Sequence, residues 1–358
     1  MPGIENWIRL AKLENPKRAV TLVDYFGSPE EVFRASTGEI TAIEGFSVKA
    51  AERIRLIGSQ PVDKELQAME KIGARVLTYW DEDYPVNLRQ IHDPPAVLFV
   101  RGSLREEDRF GVAVIGTRKP SEYGRSMAMK ISRDLAKRGL TVISGGARGI
   151  DTIAHTGAIQ GGRTVAILGS GVDVPYPYEN RGLFDKITEN GAVISEFIPG
   201  TKPDAWRFPA RNRLVSGMSM GVLVVESLAG GGAMITATIA GEQGRDVWAV
   251  PGTTDNATCE GPHRLIKDGA KLVESAEDIL EELGIELGNV RNERPSIPNN
   301  LPPEQKAVIQ VLNLQPKHVD DIIAECKLTP SVANSTLTIL EMLGLVRRVP
   351  GNSYVRAV

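Results

Sequence analysis

Cysteine is nearly missing from this 358-residue chain: Cys259 and Cys326 are its two, far apart. Neither a disulfide framework nor a structural zinc site can be built from them. Histidine is as scarce. His92, His155, His263 and His318 sit in four different segments with no metal-ligand spacing, so metal-assisted phosphodiester cleavage has no sequence support. Neither G-x-G-x-x-G nor G-x-x-x-x-G-K-[ST] occurs, which demotes dinucleotide and P-loop chemistry; no cofactor and no metal are expected. No apolar run approaches the roughly 18 residues of a membrane span. The stretch MPGIENWIRLAKLENPKRAV lacks a signal-peptide core, so a cytoplasmic protein with no membrane partner is expected. Charge of one sign is also in short supply, since the net charge of −3 excludes a generally basic nucleic-acid coat.

The charge that is present is unevenly placed. Residues 109–255 carry 17 Lys and Arg against 13 Asp and Glu, whereas residues 274–286 hold six acidic side chains and no basic one. The acidic stretch is most simply a solvated helix face. Hydrophobic content of 42% and charged content of 24% are those of a soluble globular protein, and the length suits two or three domains. Residues 1–75 have helical apolar spacing in LENPKRAVTLVDYF, SPEEVFRAS, SVKAAERIRLIG and PVDKELQAMEKIG, with Ser28-Pro29 and Ser47 as N-cap signals. The hairpin in ITAIEGFSVKAAERI has one glycine, Gly45, and Ser47 where a phosphate-binding helix-hairpin-helix would have a second. A plain helical module is therefore expected there.

Residues 76–104 contain extended segments broken by prolines and read as a lead-in. From Phe110 the pattern becomes regular: GVAVIG, LTVIS, RTVAILG, GAVIS, GVLVVE and DVWAVPG alternate with amphipathic helices. Near-continuous apolar strands between helices imply a mostly parallel sheet covered on both faces, an extended Rossmann-like, doubly wound α/β domain over 76–290. Residues 291–303 are a Pro-rich linker. Residues 304–358 read as three helices and a two-stranded ending, a winged helix. Its third helix offers Ser, Asn and Thr but no cation, which favours protein contact or dimerisation over base reading.

In such a sheet ligands bind beyond the carboxyl ends of the strands. The loops there are Gly116-Thr117-Arg118-Lys119, Ser144-Gly145-Gly146-Ala147-Arg148-Gly149, Gly169-Ser170-Gly171, Ser195-Glu196-Phe197 and Ser227 to Gly232. In FPARNRLVSG, Arg211 and Arg213 flank Asn212 at the end of a loop entering a helix, well placed to hold phosphate oxygens. Arg118, Arg211 and Arg213 are expected to converge on one anionic-ligand groove. Phe197, Trp206 and Phe208 offer base stacking or core packing. For catalysis, His155 follows Asp151 by four residues and Ser144 is a conceivable nucleophile, without a G-x-S-x-G elbow.

These segments in this order resemble the bacterial DNA-processing protein A family (DprA, also called Smf). The resemblance is carried by YPVNLRQIHDPPAVLFVRG, VAVIGTRKPSEYG, VISGGARGIDTIAHTGAI, AILGSGVDVPYPYEN, ISEFIPG, FPARNRLVSG and VWAVPG, over nearly the whole length. It implies a SAM-like helical N-terminal domain, a Rossmann core and a winged helix. It further implies a non-enzymatic, dimeric single-stranded DNA-binding protein that protects incoming DNA during natural transformation. Such a protein loads the RecA recombinase onto strands covered by single-strand-binding protein. Carried over by position, the phosphate pocket would use Gly116, Thr117 and Arg118, then Ser144, Gly145 and Gly146, then Arg211, Asn212 and Arg213. The chain departs from the family where a basic residue and Ser-Gly-Ser usually precede the fifth-loop helix; it has Leu228-Ala229-Gly230-Gly231-Gly232-Ala233. The alternative reading is a Rossmann-like nucleotide or nucleoside-phosphate hydrolase, whose nearest hint is this triple glycine before a helix with Thr236.

Overall fold

The computed structural model describes residues 3–13, 15–284, 301–313, 317–343, 345–349 and 351–356. They fall into two compact units, divided between positions 287 and 288. The first begins with six helices: α1 (Ile4–Ala11), α2 (Pro16–Phe26), α3 (Pro29–Arg34), α4 (Thr37–Thr41), α5 (Val48–Gly58) and α6 (Asp63–Ile72). The chain marks several of their starts. The side chains of Asn15, Ser28, Ser36 and Ser47 each accept a hydrogen bond from the backbone N–H three residues on. Each such cap contributes about 1 kcal/mol. Helices α1 and α4, of eight and five residues, are too short to show periodicity and escape a sequence reading. Gly45, with φ of +85°, makes the turn between α4 and α5. Apolar packing runs from Ile8, Leu22 and Ile40 into Val76, Phe99 and Val193, so helices and sheet share a core.

The sheet has nine strands: β1 (Ala74–Thr78), β2 (Val97–Gly102), β3 (Gly111–Ile115), β4 (Thr141–Ser144), β5 (Thr164–Ile167), β6 (Ala192–Ser195), β7 (Gly221–Val224), β8 (Asp246–Ala249) and β9 (Lys271–Leu272). Their order is β1-β2-β6-β5-β4-β3-β7-β8-β9. The seven strands from β3 onward are parallel, and β2 runs antiparallel to both β1 and β6. The expected lead-in is thus an antiparallel extension of the sheet. The helices are α7 (Val86–Arg89), α8 (Glu122–Lys137), α9 (Ile150–Gly161), α10 (Arg181–Asn190), α11 (Arg207–Gly217), α12 (Gly232–Glu242), α13 (Glu260–Lys267) and α14 (Ala276–Glu282). Every residue of β3, β4, β5, β6 and β7 is buried, as double-sided cover requires. Strand order reverses between β3 and β7, and that switch point opens a crevice at the carboxyl ends of both. No described helix is long and apolar enough to cross a membrane.

The second unit contains α15 (Pro303–Val311), β10 (Lys317–His318), α16 (Val319–Cys326), α17 (Pro330–Met342), β11 (Val346–Val349) and β12 (Ser353–Arg356). Val308, Ile322, Leu337, Leu340 and Tyr354 form its core. Three helices and a hairpin give the winged-helix arrangement, with β10 adding a third strand against β12. The exposed positions of α17 include Ser331, Asn334, Ser335 and Thr338, which carry no positive charge. Most of the expected linker, 291–300, lies outside the described residues.

The amino edge of the large sheet is tied by a buried ion pair. Arg163, just before β5, donates from Nε and Nη2 to the two carboxylate oxygens of Asp108 at 2.6 and 2.7 Å. The same guanidinium caps the carbonyls of Ser103 and Asn190 at 2.6 and 2.9 Å, and Thr141 donates to Asp108 at 2.8 Å. A bidentate pair with its remaining hydrogen bonds filled is the form in which a buried pair holds. Removing one partner leaves the other charged and unpaired. Asp108→Ala is therefore expected to lower the unfolding free energy in urea by about 3–5 kcal/mol. Ligand binding at the opposite edge of the sheet should survive below the unfolding transition.

Candidate functional site

The crevice at the switch point encloses about 910 Å³. Its first wall is the loop after β3. The N–H of Thr117 donates to the carbonyl of Glu226 at 2.7 Å, and Ile150 donates to the carbonyl of Thr117 at 3.1 Å. A Cβ on Gly116 would lie 2.6 Å from Ile150 and 2.8 Å from the Glu226 carbonyl, so only glycine permits this approach. The loop is thus pinned from below, while Arg118 and Lys119 stand exposed at the rim. Glu226 itself is fully buried and accepts from the backbone N–H of Ser121 at 2.9 Å, the Ser121 hydroxyl and Asn256. It anchors the start of α8.

The floor is made by α11. FPARNRLVSG is helical here, where a loop entering a helix was expected. Arg211 is 4% exposed, and its Nη1 donates to the carbonyls of Gly145 and Ile167, joining the ends of β4 and β5. A side chain at position 145 would strike this guanidinium. Burial pulls the Arg211 pKa down to about 10, against the attraction of Asp151. Phe208 lies one helical turn earlier. Its ring is 5.4 Å from that of Tyr176, and the Arg118 guanidinium sits 5.7 Å above it. The third wall is the Ser227 to Gly232 loop and the first turns of α12, including Thr236.

The structure therefore gathers Gly116, Thr117, Arg118, Gly145, Arg211 and Asn212 around one crevice. It does not bring Ser144, Gly146 or Arg213 there. Ser144 is fully buried and donates to the carbonyl of Val114 at 2.7 Å. Gly146 turns behind the crevice with φ of +67°, its carbonyl taken by Asn180. Arg213 points to the opposite side of α11, where it pairs with Asp93 and Glu196. Of the five loops, the fourth also turns away: Phe197 and Trp206 pack edge to face on the Arg213 side, with Arg207 over both rings. Lys119, read in the first loop but not among the pocket residues, and Tyr176 also belong to the crevice. The aromatic-rich VPYPYEN after β5 is the signal for the second.

A catalytic arrangement of Ser144, His155 and Asp151 is not assembled. The Ser144 hydroxyl donates to the Val114 carbonyl and its side chain also meets Asp151, but His155 is turned to Thr164, at 2.7 Å, and not to Ser144. Burial, with help from Arg211, lowers the His155 pKa to about 3. Among the described residues, no group of three or more His, Cys, Asp or Glu side chains is placed to hold a metal.

A doubly wound domain with exposed cations, open backbone and a tilted aromatic pair at its switch point has the make-up of a Rossmann-like anion-binding module. Comparison with known proteins narrows this. The family described as DNA recombination-mediator protein A matches residues 75–284, the DprA winged helix domain matches 292–352, and a SAM-like helix-hairpin-helix tandem matches 14–57. Protein Smf of Synechocystis is 34% identical over 94% of both chains. DNA processing protein DprA of Streptococcus pneumoniae is 40% identical over 68% of this chain and 86% of its own. The crystal structure of the pneumococcal protein covers 76% of this chain and 95% of its own with a TM-score of 0.68 and 34% identity. DNA processing protein A of Helicobacter pylori, whose structure is described for its single-stranded DNA binding mode, covers 59% of this chain and 95% of its own (TM-score 0.54, 29% identity). The chain belongs to the DprA/Smf family of DNA-processing proteins.

Two acids line this crevice, Asp204 at its exposed edge and Asp151 within. Asp151 accepts from the Ala147 N–H at 3.2 Å, and burial raises its pKa to about 6 against the pull of Arg211. Its folded pKa lies above the unfolded value, so the stability it contributes is complete below about pH 4 and lost as the pH rises through about 6. Protonation also removes a negative charge from the crevice. Affinity for a short phosphodiester strand without terminal phosphates, such as oligo-dT, whose charge is constant over this range, should rise a few-fold between about pH 7 and about pH 5 when measured calorimetrically. Asp151→Asn should flatten that response.

Proposed function

We propose that this protein is a non-enzymatic mediator of homologous recombination that binds single-stranded DNA in the switch-point crevice. The observation that carries the reading is the juxtaposition of Arg118, Phe208 and Tyr176 at the crevice mouth. A cation poised over a pair of rings offers a phosphate handle and aromatic surface for a base at one mouth, which is what sequence-tolerant binding of single strands needs. Family membership supports the same role, and nothing in the crevice favours the hydrolase alternative. The finer expectations remain part of the proposal. The protein would act as a homodimer in the cytoplasm, protect incoming DNA during transformation, and load RecA where single-strand-binding protein covers the strand. The cation-free exposed positions of α17 support a protein-contact role for the winged helix.

The reading is tested by fluorescence anisotropy with labelled oligo-dT of increasing length across a salt series. Two exposed cations, Arg118 and Lys119, should give a log–log salt slope of about −1.4, and Arg211 would carry it toward about −2, at about −0.7 per phosphate contacted. Arg118→Ala should weaken binding at least ten-fold and make the slope shallower by about 0.7. Retained affinity in this variant would remove the crevice from the DNA path.

A further inference from the structure

Across α11 from the crevice lies a second cavity, of about 310 Å³, between helices α1 and α2 and the carboxyl edge of the sheet. That volume is at the small end for ligand pockets and suits one ring system rather than a length of chain. Leu10, Ala19, Val97 and Ile198 give it apolar walls. At its rim stands Trp206, which is 50% exposed and packs edge to face on Phe197. One stretch of chain borders both spaces. Asp204, Ala205 and Phe208 line the crevice, while Trp206 and Ala210 line the cavity. A strand crossing the start of α11 therefore meets both.

The chemistry of the two spaces differs in sign. Glu196, on the loop after β6, lines the cavity with its side chain 12% exposed. Among the described residues its one hydrogen-bond donor is Nη2 of Arg213. That guanidinium is shared with Asp93: its Nη1 donates to the Asp93 carbonyl at 3.0 Å, and its Nε lies 3.2 Å from the Asp93 carboxylate. Lys12, also on the wall, is taken by Glu65 at 2.8 Å. The carboxylates outnumber the cations, so a phosphate is repelled here. A carboxylate has room for several donors, and Glu196 keeps most of its acceptor capacity open. Burial pushes its pKa up to about 7 against the pull of Arg213, as befits a carboxylate short of donors.

An aromatic rim, apolar walls and an under-bonded carboxylate suit a flat ring whose polar edge donates. Among the DNA bases, guanine sets N1–H and the N2 amino group side by side on its pairing edge, two donors aimed one way for one carboxylate. Adenine and cytosine place an acceptor beside their amino group, and thymine flanks its N3–H with carbonyls; each turns a repelled oxygen or nitrogen toward Glu196. We infer that this cavity is a guanine subsite, in which a base of the bound strand lies against Trp206 and donates to Glu196. This rests on the strand-binding reading above. It adds one position of preference to binding that is otherwise sequence-tolerant, and it leaves the backbone to the crevice.

The test titrates the full-length protein, by fluorescence anisotropy, with labelled oligo-dT and with the same strand carrying one central dG. The wild type should bind the dG strand about five-fold more tightly, the low end of what a paired base contact discriminates. A strand with 2′-deoxyinosine, which lacks the amino donor, should fall between the two. Glu196→Gln sets an amide beside the guanine donors while its carbonyl still accepts from Arg213; Ala210→Leu fills the cavity from α11. Both variants should bind plain oligo-dT as the wild type does and lose the dG gain. Equal wild-type affinity for the two strands, or a dG gain that survives in both variants, would overturn the subsite and leave the strand-binding reading intact. Loss of oligo-dT binding by both variants would also overturn it, since the cavity would then serve the fold. Saturable calorimetric binding of free guanosine without a dG gain in strands would overturn the strand assignment and make the ligand a free nucleoside. Failure of the wild-type protein to bind any strand would overturn the strand-binding reading and this one with it.

Discussion

Everything at the crevice rests on one buried cation. Arg211 lies beneath the strand ends and bonds the carbonyls of Gly145 and Ile167, so the loop after β4 and the end of β5 are fixed to α11 through a single guanidinium. Loops at the carboxyl edge of a parallel sheet have no ladder to hold them, and their carbonyls need donors. A planar group with five fixed donors can serve two such carbonyls at once, where a lysine would offer a point charge on a flexible stem. Asp151 is the acid placed to balance the Arg211 charge, and because burial raises its pKa to about 6 it gives up its own charge on mild acidification and leaves the floor of the crevice more positive. Structural and electrostatic roles coincide in one residue.

Arg213 shows how such a site is misread from sequence. In an extended loop Arg211, Asn212 and Arg213 can turn toward one ligand. In a helix each residue advances by about 100°, so positions two apart face nearly opposite ways. The apolar content of FPARNRLVSG is not periodic, which hides the helix; its face against the sheet is set by Leu214 and Val215 together with Arg211. Arg213 is thereby committed to Asp93 and Glu196, tying the proline-rich segment before β2 to the loop after β6. Tyr84, whose hydroxyl donates to the Pro95 carbonyl at 2.9 Å, closes the same segment from within.

The parts legible in advance are those where burial leaves a long record. Strands β3 to β8 are hydrophobic on both faces, and the intervening helices carry an apolar stripe, so the doubly wound domain follows from pattern alone. Strands β9 and β10 have two residues each and leave no periodicity to read. Strands β1 and β2 were readable as extended, but nothing local states that β2 pairs antiparallel with β6, a contact made about 95 residues away. The cations at the crevice rim were visible because Arg118 and Lys119 follow an apolar strand directly. Tyr176 was not, because its partner Phe208 is distant in sequence.

Glycine shows why residue type alone does not disclose cause. Gly116 and Gly145 exist so that backbone and guanidinium can approach them: a methyl group at Gly116 would collide with the Glu226 carbonyl, and one at Gly145 would displace the Arg211 guanidinium from its two carbonyls. Gly230 and Gly232 are the same letter under no such constraint. In the first pair the space is occupied by the protein; in the second it is open. The family pattern expects a cation and hydroxyls in this stretch, and the chain offers none of them between Leu228 and Ala233.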